Sequence, residues 1–98
     1  MNEFINQIEL QGIVGSARTN EHGTHFSLLT ERTYTDILGC SAVECNWFDC
    51  WTTSQRVEKG MWVHLFGRVN IFQYESEGIT HKNWQIIVEN LEIYEKEK

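Results

Sequence analysis

The most regular pattern of hydrophobic and polar positions in this chain runs through residues 59–74. Small or aliphatic residues occupy every second position, and the positions between them carry Trp62, His64, Phe66, Arg68, Asn70, Phe72 and Tyr74. A period of two predicts one extended strand with these two sets on opposite faces. The solvent face of such a strand should be polar, yet here it carries four aromatic side chains. We therefore expect this face to be covered, either by a ligand with flat rings or by another protein chain.

Four further stretches have the alternation or the composition of strands. We predict them at residues 4–14, 24–34, 44–53 and 79–93. A tight turn is predicted at residues 75–78, a loop at 35–43 and a short link, at most one helical turn, at 54–59. Gly12 and Gly15 predict a bend or bulge in the first strand. Five strands with no proline and little helix predict an all-β fold, a small five-stranded antiparallel barrel.

Length and composition bound the class of protein. A chain of 98 residues has room for one core, so we expect a single domain at 1–98 with a solvated tail at 94–98. The chain has no apolar run of membrane length, and its first residues lack the basic and apolar regions of a secretory signal. Three cysteines without a sign of secretion indicate reduced thiols. We expect a cytoplasmic protein with no membrane partner.

The residue types that could bind a metal or carry catalysis are not arranged for either role. Cys40, Cys45 and Cys50 are spaced by five, and an odd spacing on a strand sends neighbouring side chains to opposite faces, so these thiols would not converge on a zinc ion. The four histidines are scattered through turns and strands. A hydrolase or nuclease on this barrel would need clustered carboxylates, which the sequence does not show. We expect no metal, no cofactor and no enzymatic activity.

The net charge of −6, from 14 acidic and 8 basic residues, counts against a nucleic-acid partner because phosphate binding depends on Lys and Arg. The distribution weakens this objection, since most of the acidic residues lie outside residues 56–82. Bases stack on flat side chains of any aromatic type while cations follow the phosphates. Candidate rings are Tyr34, Trp47, Trp51, Phe72 and Tyr74, and candidate cations are Arg56, Lys59, Arg68 and Lys82. A subunit interface is expected to cover Trp62, His64 and Phe66, which lie at the start of the strand predicted at residues 59–74.

Several blocks resemble the bacterial single-stranded-DNA-binding proteins. Residues 6–15 are similar to that family's opening, Asn-x-x-x-Leu-x-Gly-x-Leu-Gly, and Asn46-Trp47 begins a strand that resembles its Glu-Trp-His-Arg-Val block. Residues 59–69 are similar to its Lys-Gly-x-x-Val-x-Val-x-Gly-x-Leu. The resemblance covers about residues 6–94. It implies an oligonucleotide-binding (OB) barrel that forms a homodimer or homotetramer. It also implies non-sequence-specific binding of single-stranded DNA in replication, repair or recombination, with replication proteins as further partners.

Carried over residue by residue, the resemblance assigns base stacking to Tyr34, Trp47 and Tyr74, while the family's next stacking aromatic falls on Thr53. Asp49 stands where the family typically has a basic residue, and residues 70–73 lack the family's basic side chains. The link at 54–59 is shorter than the family's helical crossover, and the acidic-tipped tail that recruits partner proteins is missing. The chain therefore resembles tail-less relatives such as primosomal protein N, which are compact dimers.

These departures leave one alternative open. An OB-fold protein-interaction or oligomerisation module would use the same aromatic face to hold a subunit or a replication partner, with nucleic-acid binding weak or lost. The two functions differ in what covers the aromatic side chains.

Overall fold

The computed structural model describes residues 3–94 and consists of five β-strands joined by turns and loops. The strands are β1 (Ile8–Asn20), β2 (Gly23–Thr35), β3 (Ser41–Thr52), β4 (Trp62–Ser76) and β5 (Ile79–Tyr94). The predicted all-β fold is confirmed, although β1 starts later than predicted and continues past residue 14 to Asn20. Within residues 3–94 no helix is long and apolar enough to span a membrane. The tail predicted at 94–98 lies outside the described residues apart from Tyr94.

The strands close into a barrel in the order β1-β2-β3-β5-β4, with β4 pairing back onto β1. All neighbouring strands are antiparallel except β3 and β5, which meet in a short parallel pairing of Cys50 with Ile86 and Trp51 with Ile87. A closed sheet has no free edge to satisfy, which suits a small chain with little core. The predicted five-stranded OB barrel is confirmed, with this one parallel contact added.

The core holds the residues that the alternation assigns to the inner faces. Its buried members are Val14, Phe26, Leu28, Cys50, Val57, Val63, Leu65 and Ile86. Val57 is the exception, because it comes from the link between β3 and β4, which contains no helical turn. An isolated apolar residue in a short link belongs to no periodic pattern, so its burial could not be predicted from alternation.

Two bulges set which side chains face outward. In β1 the pairing with β2 shifts between Val14 and Ser16, which places the bulge at Gly15 as the glycines predicted. In β5 Asn90 pairs with Phe66 and Val88 with Gly67, so the intervening Glu89 is the extra residue. This second bulge interrupts the alternation of inward and outward side chains near the end of β5.

The paired ends of β4 and β5 project past the barrel as a two-stranded ribbon, residues 70–85, here called the β4–β5 arm. Its turn is Glu77-Gly78, where both residues have positive φ, 53° and 78°, as the favoured two-residue hairpin turn requires. Ile71 and Trp84 continue the inward alternation of their strands, yet both are exposed because no opposing layer lies beyond the barrel rim.

Candidate nucleic-acid interface

The outer face of β1, β2 and β3 carries a concentrated set of aromatic and polar side chains. On β3, alternate positions place Trp47, Asp49 and Trp51 outward, opposite the buried Cys50. Cross-strand pairing sets Ser27 beside Asp49 and His25 beside Trp51. Because directly paired residues share a sheet face, these side chains form one continuous surface.

Trp47 is the most prominent ring on this surface, with 59% of its area exposed. Its indole reaches across to the bulge of β1, where a Cβ on Gly15 would overlap the ring atoms Cζ3 and Cη2. The missing side chain at Gly15 therefore makes room for the indole at this position. The ring contacts the protein at Cζ3 and Cη2 while more than half of the side chain stays open to solvent, so its exposed part is available for base stacking.

Trp51 is half-buried and packs against His25, with ring centroids 4.5 Å apart at 42°. His25 Nδ1 lies 3.2 Å from the Gln85 side-chain nitrogen, so this pair links the sheet to the base of the β4–β5 arm. The pairings also put Arg18 next to His25 on one side, and Ile87 followed by Arg68 on the other side of Trp51. An aromatic pair is thus flanked by a cation at either end of one row across the barrel.

An open groove of about 980 Å³ lies between this surface and the β4–β5 arm. The barrel side contributes Arg18, Trp47 and Asp49, and the arm contributes Phe72 and Trp84. Phe72 is exposed on the face of the arm that continues the Trp47 surface, while Trp84, which pairs with Ile71, has 69% of its area exposed on the arm's other face. A flexible polymer with flat rings could enter such a groove and contact aromatic side chains on both walls.

The structure divides the predicted nucleic-acid residues into those that share this surface and those that do not. Trp47 and Phe72 line the groove, while Trp51 and Arg68 lie in the adjoining row. Tyr74 lies towards the arm's tip on the same face as Phe72, stacked on His81 with centroids 4.9 Å apart.

The remaining predicted residues lie elsewhere. Tyr34 follows the inward parity of β2, on the opposite face of the β2–β3 ribbon from Trp47, with the Arg32 guanidinium 5.7 Å from its ring centroid. Lys82 pairs with Gln73, on the opposite face of the arm from Phe72. Arg56 lies exposed in the link. These residues stay predictions for nucleic-acid contact, on surfaces separate from the groove.

Three groove-side residues escaped the sequence analysis: Arg18, His25 and Trp84. Arg18 lies beyond the predicted end of the first strand at residue 14, and its parity matches the inner face until the bulge at Gly15 reverses it. Trp84 shares the parity of the buried Ile86, so its exposure depends on where the barrel ends. The repeated glycines of β1 were the one available signal for Arg18.

The electrostatics of the groove centre on Asp49. Within residues 3–94 no Lys, Arg or His nitrogen lies within 4.0 Å of its carboxylate, so it forms no ion pair there. On the inner side of β3, burial, with a smaller contribution from Asp49, raises the pKa of the Cys50 thiol to about 12. Cys40 and Cys45 are exposed. Among the described residues no group of three or more His, Cys, Asp or Glu is placed to hold a metal ion.

The residues predicted to form a subunit interface lie on a second outer face, built from β1, β4 and β5. Trp62 and Phe66 are 43% and 44% exposed, and they flank His64 on alternate positions of β4. His64 Nε2 lies 2.6 Å from Glu9 Oε2, and His64 Nδ1 lies 3.8 Å from Glu92 Oε2. Both ring nitrogens of His64 therefore lie within 4 Å of a carboxylate oxygen of the same chain.

No protein-family model and no curated protein sequence matches the chain. Its fold is that of the OB barrels found in single-stranded-DNA-binding proteins. The chain is similar to such a protein from Plasmodium falciparum, solved in complex with single-stranded DNA, with a TM-score of 0.81 and 20% identity over 97% of this chain and 100% of that one.

Two further similarities differ in length. A deletion mutant of the Thermus aquaticus single-stranded DNA-binding protein matches with a TM-score of 0.77 and 19% identity over 93% of this chain, which spans only 51% of that protein. The small single-stranded DNA-binding protein of Streptomyces coelicolor matches with a TM-score of 0.63 and 22% identity over 94% of both chains. At these identities the similarities establish the fold.

Proposed function

We propose that this protein binds single-stranded DNA in the groove between the outer face of β1–β3 and the β4–β5 arm. The observation that carries the proposal is the placement of exposed aromatic side chains on both walls, Trp47 on the barrel and Phe72 on the arm. Bases stack on such rings whatever their sequence, each contributing ~1–3 kcal/mol. The similarity to single-stranded-DNA-binding proteins of the same fold supports this choice of ligand.

Few cations are available to follow the phosphates, so stacking supplies most of the affinity. Arg18 lines the groove and Arg68 lies at the end of the adjoining row. Tyr74 extends the aromatic track along the arm, while Tyr34, Arg56 and Lys82 would contact only DNA that leaves the groove. Since binding to a single strand weakens with salt in proportion to the phosphates neutralised, we expect a shallow salt dependence.

We further propose a homodimer or homotetramer that assembles through Trp62, His64 and Phe66, in the manner of compact relatives such as primosomal protein N. Half-exposed rings on either side of a histidine that is already engaged by Glu9 offer apolar area that a second subunit can cover. A DNA-binding oligomer of this kind would act in the cytoplasm, in replication, repair or recombination, where replication proteins are its expected partners.

Titration of intrinsic tryptophan fluorescence with oligo-dT tests the proposal. At low salt we expect emission to be quenched as bases stack on Trp47, and at moderate salt the affinity should fall only slightly. No quenching by excess oligonucleotide at micromolar protein and low salt would reject DNA binding.

One observation favours the second candidate, a protein-interaction module. A carboxylate lies at the centre of the groove in a chain with a net charge of −6, and both features repel phosphate. If the titration shows no binding while the protein still forms a stable oligomer, the interaction module becomes the better description.

A further inference from the structure

Asp49 is an exposed carboxylate in the middle of the groove, where a phosphate-binding site would be expected to have a cation. We propose that Asp49 reads the edge of a stacked base and gives the groove a preference for guanine over thymine. This inference rests on the proposed function, because it concerns the choice among bases once single-stranded DNA is bound.

The position of Asp49 suits contact with bases. It lies between Trp47 and Trp51 on alternate positions of one strand face, about 6.6 Å from each along the strand. A base centred over the Trp47 indole would therefore bring its edge within hydrogen-bonding reach of the carboxylate. The phosphates of a strand whose bases face the sheet lie farther out, which reduces their repulsion by Asp49.

The neighbours of Asp49 leave its oxygens available to a ligand. Ser27 is its partner on β2, and the Ser27 hydroxyl lies 2.8 Å from the Ser16 hydroxyl, so these two side chains bond to each other. No ion pair engages Asp49 within residues 3–94. A carboxylate with unoccupied acceptor positions gains a charge-assisted hydrogen bond when a donor arrives.

The chemistry of the bases makes this a selective contact. An ionised carboxylate only accepts hydrogen bonds. The Watson–Crick edge of guanine offers two adjacent donors, N1–H and the N2 amino group, which match the two carboxylate oxygens. Adenine and cytosine offer one amino group beside an acceptor nitrogen. Thymine offers N3–H between two carbonyl oxygens, which repel a carboxylate.

The amide side chains in the groove would discriminate less. Asn46, Asn83 and Gln85 also line it, but each carries both a donor and an acceptor and can rotate to suit any base. Among the side chains that line the groove, Asp49 is therefore the one that only accepts hydrogen bonds, whereas Arg18 only donates them, and substitution of Asp49 tests the inference directly.

The experiment compares four 12-nucleotide strands: oligo-dT, and oligo-dT with isolated guanines, inosines or adenines. The wild-type protein should bind the guanine strand about tenfold more tightly than oligo-dT, near the lower end of what a bidentate contact provides. Inosine lacks the N2 amino group and should fall between them. Adenine tests whether a larger purine ring alone increases affinity.

Asp49→Asn should remove the guanine preference, because an amide can satisfy thymine as well, and should tighten binding to oligo-dT by removing a negative charge. Glu21→Gln is the matched control: it removes the same charge from the exposed turn between β1 and β2 and should leave the preference intact. The melting temperature of both variants should equal that of the wild type.

Equal wild-type affinity for guanine and thymine strands would overturn the inference and leave DNA binding in place. A guanine preference that persists in Asp49→Asn, or that adenine matches, would also overturn it, by assigning the effect to purine stacking. Failure of every strand to bind would reject the proposed function together with the inference.

Discussion

Two outer faces of this barrel carry half-exposed aromatic side chains, but they differ in shape and in the state of their charged groups. The β1–β3 face forms one wall of a groove, and Asp49 within it has no ionic partner among residues 3–94. The β1–β4–β5 face presents Trp62 and Phe66 around His64, which already contacts Glu9 and Glu92.

The comparison shows that aromatic content alone does not identify a ligand. A groove with an unengaged carboxylate can hold a polymer that brings hydrogen-bond donors and flat rings. A face whose histidine is already engaged by carboxylates of the same chain, with an aromatic ring on either side, suits another protein surface. Both faces alternate along their strands in the same way, so their difference comes from the partners that the barrel brings to each.

The largest effects are expected when one tryptophan of each face, Trp47 or Trp62, is replaced by alanine in separate variants. Trp47→Ala should weaken binding to oligo-dT by about tenfold to a hundredfold, the loss of one stacked base, while the oligomer keeps its size. Trp62→Ala should do the reverse, reducing oligomerisation and sparing the affinity of each protomer. Fluorescence anisotropy and light scattering report these two properties separately.

The reciprocal result has a clear meaning. If Trp47→Ala dissociates the oligomer and leaves oligonucleotide binding unchanged, the two faces have been assigned the wrong way round.

Gly15→Ala should have a smaller effect, on the groove alone. The added Cβ overlaps the Trp47 indole, so the ring must move from its supported position, and we expect a loss of about fivefold in affinity, or ~1 kcal/mol. The melting temperature should change little because a side chain, not the backbone, gives way. Gly12→Ala is the contrasting variant, since its Cβ meets the Leu29 carbonyl and should lower the melting temperature.

A Gly15→Ala protein with unchanged affinity and unchanged tryptophan emission would show that the indole position is unimportant for binding.

The strands and most of the core could be predicted because alternation has a physical cause inside the barrel. Val63 and Leu65 are buried there while His64 and Phe66 face out, as the period of two requires. The same reasoning fails on the arm, where Ile71 has no opposing layer and is exposed. Parity assigns a residue to a side of a strand; only the closed barrel decides whether that side is an interior.

The groove was predicted less well for the same reason. Trp47 could be predicted because alternation along β3 puts it on the opposite face from Phe48 and Cys50, and because the resemblance assigns it to base stacking. Tyr34 lies on the part of the paired strands β2 and β3 that extends beyond the barrel, and Lys82 lies on the β4–β5 arm. The face that each side chain occupies depends on strand register rather than on burial. Predicting that Arg18 faces outward requires knowing that the bulge lies at Gly15, because one extra residue moves each later side chain of the strand to the opposite face.

A change of charge at Asp49 sharpens the comparison further. Asp49→Arg should tighten binding to oligo-dT at low salt and steepen the salt dependence by ~0.7 log units per decade, because one added cation releases about one more counterion. Affinity should be measured at several salt concentrations, and the melting temperature on the same protein. A lower melting temperature without a gain in binding would favour the interaction module.

The smallest effect is expected at Cys45, which lies exposed on the outer parity of β3, two residues from Trp47. Bound oligonucleotide should slow its reaction with a thiol reagent and leave Cys40, in the loop before β3, unaffected. Cys50 should not react with the reagent near pH 8, because burial raises its pKa from 9.0 to about 12 and keeps the thiol protonated in the folded protein. The variants Cys40→Ser and Cys45→Ser isolate the two exposed thiols.

The pH dependence provides an internal check on this measurement. Since the folded state holds the Cys50 proton more tightly than the unfolded state, its stabilising contribution is complete below pH 9 and is lost as pH rises towards 12. Reaction of the third thiol should therefore follow unfolding. If DNA protects Cys40 and Cys45 equally, or neither, the bound strand does not run along β3 beside Trp47, and the groove must be entered from the arm.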